Sequence, residues 1–208
     1  MTETASVYVQ DGGFFVSDSL GESPPFEMMD FSTGLAGVME STLLMSAGVN
    51  RGLVTVSADV ADSRPALETP EQWATVADWE DIAEISLYVP HGDLRVDQLE
   101  YGPYEPRVNL PVLSPFGPGH YRIRVHARGR DRHRDQVVDH SSAEFHLLTW
   151  PQPPAPALII KATSGTGYGL RLNAVEGPPP AKHRIEHDPE AATHQAMLDR
   201  VLRQNRNR

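Results

Sequence analysis

Polar and apolar side chains alternate along much of this chain, and the alternation predicts strands separated by turns. Within residues 52–58, Leu53, Thr55 and Ser57 fall on one face and Val54, Val56 and Ala58 on the other, the second set being the core face. Within 79–89, Ala83, Ile85, Leu87 and Val89 oppose Glu84, Ser86 and Tyr88. The clearest case sets Tyr121, Ile123, Val125 and Ala127 against Arg122, Arg124, His126 and Arg128. Residues 144–150 are expected to return beside that strand, and the proline run 151–156 stops them. Residues 6–10 and 14–16, joined by Asp11-Gly12-Gly13, read as a hairpin. Shorter strands are expected near 41–45 and 94–98, with 107–113 as an edge strand because Pro111 cannot donate to a ladder.

The remaining segments break the alternation. Phe31, Leu35, Val38 and Met39 fit a helical stripe, but Gly34 and Gly37 weaken it, so 27–40 reads as an irregular loop. Thr69 followed by Pro70 predicts a single capped helical turn. Residues 157–163 and 168–173 flank Ser164-Gly-Thr-Gly167 as one more hairpin. Gly177-Pro-Pro-Pro180 reads as a linker before a helix over 188–203, with Ala191, His194, Met197, Leu198, Val201 and Leu202 as its apolar stripe. The pattern predicts an all-β fold, an antiparallel β-sandwich over 1–175, and a Pro-rich linker with a short C-terminal helix over 176–208.

Composition narrows the class. A hydrophobic content of 39% suffices for one core, and eighteen prolines with sixteen glycines suit a turn-rich fold. The absence of cysteine excludes disulfides, thiolate nucleophiles and cysteine-ligated zinc. The N-terminal residues carry neither a basic region nor an apolar run, and no apolar stretch approaches the roughly twenty residues of a membrane helix. A soluble cytoplasmic protein with no membrane partner is the expectation.

Charge is segregated. Residues 1–119 hold nineteen acids against four bases, whereas 120–150 carry a net +2 and 151–208 a net +3, within an overall −10. A net negative chain is poorly suited to direct nucleic-acid binding, which rests on phosphate neutralisation. Arg122, Arg124, Arg128 and Arg130 form a candidate anion site, because guanidinium groups grip phosphate with paired donors. Against it stands a plainer expectation, that the strand arginines face solvent or cross-strand carboxylates such as Glu84 and Glu144. His126 and His146 can be neighbours on paired strands, but the histidine spacing is not that of a metal site, and surface histidines are the expectation. No Gly-x-Ser-x-Gly elbow occurs, and Ser164-Gly-Thr-Gly167 lacks the lysine and the helix of a phosphate loop. No catalytic residue, cofactor or metal is expected.

Three segments carry a resemblance: Trp79-Glu-Asp-Ile-Ala-Glu-Ile-Ser86, Gly119-His-Tyr-Arg-Ile-Arg-Val-His-Ala-Arg-Gly-Arg-Asp131, and Glu144-Phe-His-Leu-Leu-Thr-Trp-Pro151. Together they resemble a family of actinobacterial β-sandwich proteins, itself distantly similar to the competence-associated inhibitor of the DNA-entry nuclease in bacilli. The resemblance spans roughly residues 5–160 and implies a fold, with no residue role attached. From the charge pattern we expect a non-enzymatic protein-binding module, an inhibitor or immunity-like partner of a basic protein such as a nuclease or toxin. Its contact residues would be Asp59, Asp62, Glu68, Glu71, Asp78, Glu80 and Asp81, with Trp73 as aromatic anchor. The alternatives are an assembly subunit docking a partner or a second copy through the C-terminal helix, and an enzyme or nucleotide-binding protein using the Arg/His-rich segment 120–134.

Overall fold

The alternating stretches are strands in the computed structural model of the protein, which describes residues 3–18, 29–39, 41–99 and 108–176. A six-stranded sheet is ordered β1 (Glu3–Val9), β5 (Arg51–Val60), β9 (Val137–Pro151), β8 (Gly119–Arg128), β6 (Asp81–Val89) and β10 (Leu158–Ala162). A four-stranded sheet is ordered β3 (Ala36–Val38), β4 (Thr42–Ser46), β2 (Gly13–Asp18) and β7 (Leu94–Asp97). Two short helices complete the described residues, α1 (Pro70–Ala74) and α2 (Gly165–Glu176). The chain divides into two units, Met1–Pro178 and Pro179–Arg208. The linker 177–180 and the helix expected over 188–203 lie outside the described residues.

The faces marked apolar by alternation on β5, β6 and β8 line the hydrophobic core. They share one core with Phe14, Val16, Leu43 and Met45 of the smaller sheet. Phe14 meets Phe145 edge to face with ring centroids 5.2 Å apart, placing a positive ring edge on a negative face. β8 and β9 pair as expected, with Arg122 opposite Trp150 and Val125 opposite Leu147.

Four expectations are corrected. β1 and β2 are not a hairpin: β1 pairs with β5 in the larger sheet, β2 with β4 and β7 in the smaller, and only a Gln10–Gly13 bridge links them. The turn at Asp11 and Gly12, both at positive φ, carries the chain from one sheet to the other, so Val7 and Phe14 enter the same core. Residues 108–113 form no strand; Leu110 and Leu113 plug the core instead. Residues 165–176 are helix, not the second arm of a hairpin. The larger sheet is mixed, because β5 runs parallel to β9.

That last correction shapes the surface. β9 is antiparallel to β8 and β8 to β6, so β5 and β6 point the same way with two strands between them. Strands so related need a crossover connection of a dozen or more residues. Residues 61–80 supply it and pass over the sheet face opposite the core. Within this crossover α1 is held as the sequence predicts: the Thr69 hydroxyl accepts from Gln72 N at 3.3 Å, and Gln72 Oε1 accepts from Thr69 N at 3.0 Å. No helix among the described residues is long and apolar enough to cross a membrane.

Candidate functional site

The alternation of β8 places its arginines on the face that the crossover covers. Arg122 and Arg124 are buried, which corrects the solvent-facing expectation: the crossover reaches Arg124 at Pro65, and Ala155 and Pro156 close over Arg122. Arg124 stands in register with Glu84 on β6, with Nη2 2.7 Å from Oε1. It also donates to the Pro65 carbonyl at 2.6 Å and sits 5.5 Å from the Trp150 ring. Glu84 receives a second cation from the crossover, Arg64, at 3.1 Å. Burial alone raises the Glu84 carboxyl, but the hydrogen bonds and charges of Arg64 and Arg124 outweigh it and hold the group below its ordinary value. Arg122 donates to Ser86 Oγ and to the carbonyls of Ala155 and Pro156 at 2.7–2.9 Å. The basic strand is therefore the floor on which the acidic crossover rests.

The next residues along the strand form an imidazole pair. His126 on β8 and His146 on β9 are in register, with ring centroids 5.2 Å apart. Trp79, at the end of the crossover, roofs both at 5.6 and 6.3 Å, and Arg128 lies 5.0 Å from the same indole. Arg128 also pairs with Glu144 at 2.7 Å, the cross-strand contact expected from the sequence. Burial, and then the neighbouring His146, push His126 down to about 4. Burial likewise lowers His146, with Asp59 opposing.

Arg130 is the most enclosed of the four arginines. It pairs with Asp81, and its Nη2 donates to the Gly34 carbonyl at 3.0 Å and to Ser164 Oγ at 3.1 Å. Asp81 accepts the Thr163 and Ser164 N–H groups at 2.9 and 3.2 Å, as well as the Ser164 hydroxyl. Burial raises the Asp81 carboxyl, and Ser164 and Arg130 together bring it below its ordinary value. Asp131 accepts from Gly165 N, Thr166 N and Thr166 Oγ1, each at 2.7 Å. The Gly165 and Thr166 N–H groups thus hold the Asp131 carboxylate at the start of α2, while Ser164 N donates to Asp81 and Gly167 N to Ser164 Oγ. This explains the helix that the three glycines concealed: its first turn is fixed by tertiary partners, not by propensity.

The acidic residues singled out from the sequence separate by environment. Asp81 is buried against Arg130, and Glu80, half-buried, accepts the Gly129 N–H at 2.9 Å. Asp59 is half-buried near His146. Asp62, Glu68, Glu71 and Asp78 are exposed, and none has an ion pair among the described residues. Trp73 projects from α1 at 42% exposure, between Glu71 and Asp78 in the chain. Beside the crossover lies an open polar depression of about 480 Å³, lined by Asp78, Glu80, Arg128, Asp131, Arg132 and Glu144. No group of residues suited to hold a metal ion occurs among the described residues. Sequence reasoning did not single out Arg64, Trp79 or Asp131 for these roles; the charge alternation of Arg64, Glu84 and Arg124 was the available signal.

Two solved structures are similar to this chain. One is described as crocagin biosynthetic gene J, with 17% identity, 74% of this chain and 99% of that chain covered, and a TM-score of 0.42. The other is ComJ, inhibitor of the DNA degrading activity of NucA, from Bacillus subtilis, with 12% identity, 71% and 94% covered, and a TM-score of 0.40. The resemblance expected from the sequence is met in the second. No residue role or activity is assigned from either. No family model and no curated protein matches the chain.

Proposed function

We propose that the protein is a non-enzymatic binding module, a two-layer β-sandwich whose acidic crossover docks a basic protein in the manner of an inhibitor or immunity protein. A basic nuclease or toxin is the class of target this surface suits. The observation that carries the reading is Trp73, exposed on a capped helical turn and accompanied by the exposed carboxylates of Asp62, Glu68, Glu71 and Asp78, none of which has an ion pair among the described residues. A rigid aromatic anchor with a charged surround is the composition of an interface hot spot with steered association. The buried arginines support a protein partner over a nucleic acid, since Arg122, Arg124 and Arg130 are engaged by carboxylates and carbonyls inside the fold.

The test uses partners captured from the producing cell, identified by mass spectrometry and then purified. Their affinity for the protein should fall as salt rises, and the variant D62N/E68Q/E71Q/D78N should lose both the affinity and its salt dependence. A partner bound equally by both proteins at every salt concentration overturns the reading.

A further inference from the structure

We infer that the His126–His146 pair makes the seating of the acidic crossover conditional on neutral imidazoles, so that acid lifts Trp79 and unfastens the partner-binding surface. The inference rests on the proposed function only for what is finally lost; the lifting is a property of this chain alone.

The geometry sets two ionisable rings beneath a removable roof. His126 is 2% exposed, with the strand of its own sheet below and Trp79 above. Its Nδ1 lies 3.2 Å from the His146 carbonyl. A carbonyl can only accept, so in the neutral ring Nδ1 carries the hydrogen and an arriving proton goes to Nε2. Among the described residues nothing hydrogen-bonds that Nε2. His146 Nδ1 lies 3.0 Å from Ser57 Oγ on β5.

The charged groups around the pair oppose a new cation on balance. Arg124 and Arg128 flank it on β8, and each imidazole faces the other. Glu84 on β6 is already held by Arg64 and Arg124, and Glu144 on β9 by Arg128. Asp59 on β5 favours charge on His146, while Asp78 and Glu80 flank Trp79 in the crossover. An imidazolium therefore needs water, which can reach it from above or through the core. The core route breaks the sheets. The upper route displaces the crossover, in which Val76 is the one buried residue between 61 and 80. Opening is drawn from the least firmly packed segment, so the crossover yields first. The downward push on His126 from burial and from His146 agrees with this order of events.

Hydrogen exchange on the full chain, with rates corrected for the intrinsic effect of pH, tests the inference without any partner. Between pH 6 and pH 4 the amides of residues 61–80 should lose about tenfold or more of their protection while β5 and β8 keep theirs. In H126N/H146N, whose asparagine at 126 can still donate to the residue-146 carbonyl, that loss should disappear. Protection that persists to pH 4 in the unmodified protein overturns the inference, as does loss shared by β5 and β8, or loss unchanged in the double variant. Should the double variant not fold, ring-carbon shifts of the two histidines in the unmodified protein decide. A titration coincident with the loss of protection supports the inference. Ordinary titration near ~6.5 with the crossover in place overturns it. Because no partner is present, that failure leaves the proposed function standing, and loss of the partner reading leaves this result untouched.

Discussion

Glu84 and Arg124 face each other in register across β6 and β8, 2.7 Å apart, and neither side chain reaches solvent. The same carboxylate takes Arg64 from the crossover at 3.1 Å. One buried acid thus joins the sheet to the acidic segment lying on it. A buried ion pair adds little net stability over an apolar pair of the same volume, but a buried charge left alone is costly.

The variant E84Q should therefore lose about 3–5 kcal/mol of unfolding free energy in urea, because three guanidinium groups, Arg64, Arg124 and the buried Arg122 at 3.7 Å, lose their counter-charge. Replacing the acid together with its two buried cations, as in E84L/R122M/R124M, should cost less than E84Q alone. If that combined substitution is the more damaging, the buried cluster contributes directly to stability and the asymmetry does not hold.

Stability should fall in two stages as pH drops. His126 is held at about 4 in the fold against 6.5 as its ordinary value, so the folded state disfavours its protonation. Its contribution is complete above pH 6.5 and is lost between 6.5 and about 4, amounting to about 3 kcal/mol at most. Asp81 and Glu84 have lowered carboxyl values, so their contribution is present above the unfolded value near ~4 and disappears below it. Urea midpoints measured from pH 8 to pH 3 should show both stages, and H126N should shrink the first, to which the lowered His146 also contributes, while leaving the second.

Much of the strand layout was legible because alternation survives in sequence. The apolar sets of β5, β6 and β8 are those read from residue spacing, and the β8–β9 pairing follows from the polar loop between them. The helical turn at Thr69 was legible because capping is local chemistry. What was not legible depends on distant partners. Alternation says that Arg122 and Arg124 share a face, but not that residues 61–80 return to cover it. Likewise α2 is invisible in Gly165-Thr-Gly-Tyr-Gly169, since its first turn is held by Asp131, thirty-four residues earlier in the chain. For the candidate site, a count of acids could not separate Asp78, which is exposed, from Asp81, which is buried against Arg130.

That separation is testable. D81N leaves Arg130 without its counter-charge in the interior and should cost about 3–5 kcal/mol, whatever happens to partner binding. D131A removes the acceptor of three hydrogen bonds at the start of α2 and should cost about 1–2 kcal/mol, with faster hydrogen exchange confined to residues 165–176. Equal, small effects of both variants on urea unfolding would show that the helix start is not anchored in this way.

The two tryptophans of the crossover should behave oppositely. Trp73 is 42% exposed and lies outside the hydrophobic core of the described residues, so W73A should change unfolding free energy by less than about 0.5 kcal/mol. As a partner anchor it should cost about 2 kcal/mol or more of binding, a loss of roughly thirtyfold in affinity. Trp79 roofs His126 and His146 and carries Arg128, so W79A should destabilise the fold by about 2–3 kcal/mol and admit water to both imidazoles. With the roof gone, His126 should titrate nearer its ordinary value of 6.5, moving up from about 4. Urea unfolding, calorimetric binding and histidine ring shifts read the three quantities independently. If W73A unfolds the protein as readily as W79A, Trp73 is a packing residue and the binding surface must be sought elsewhere.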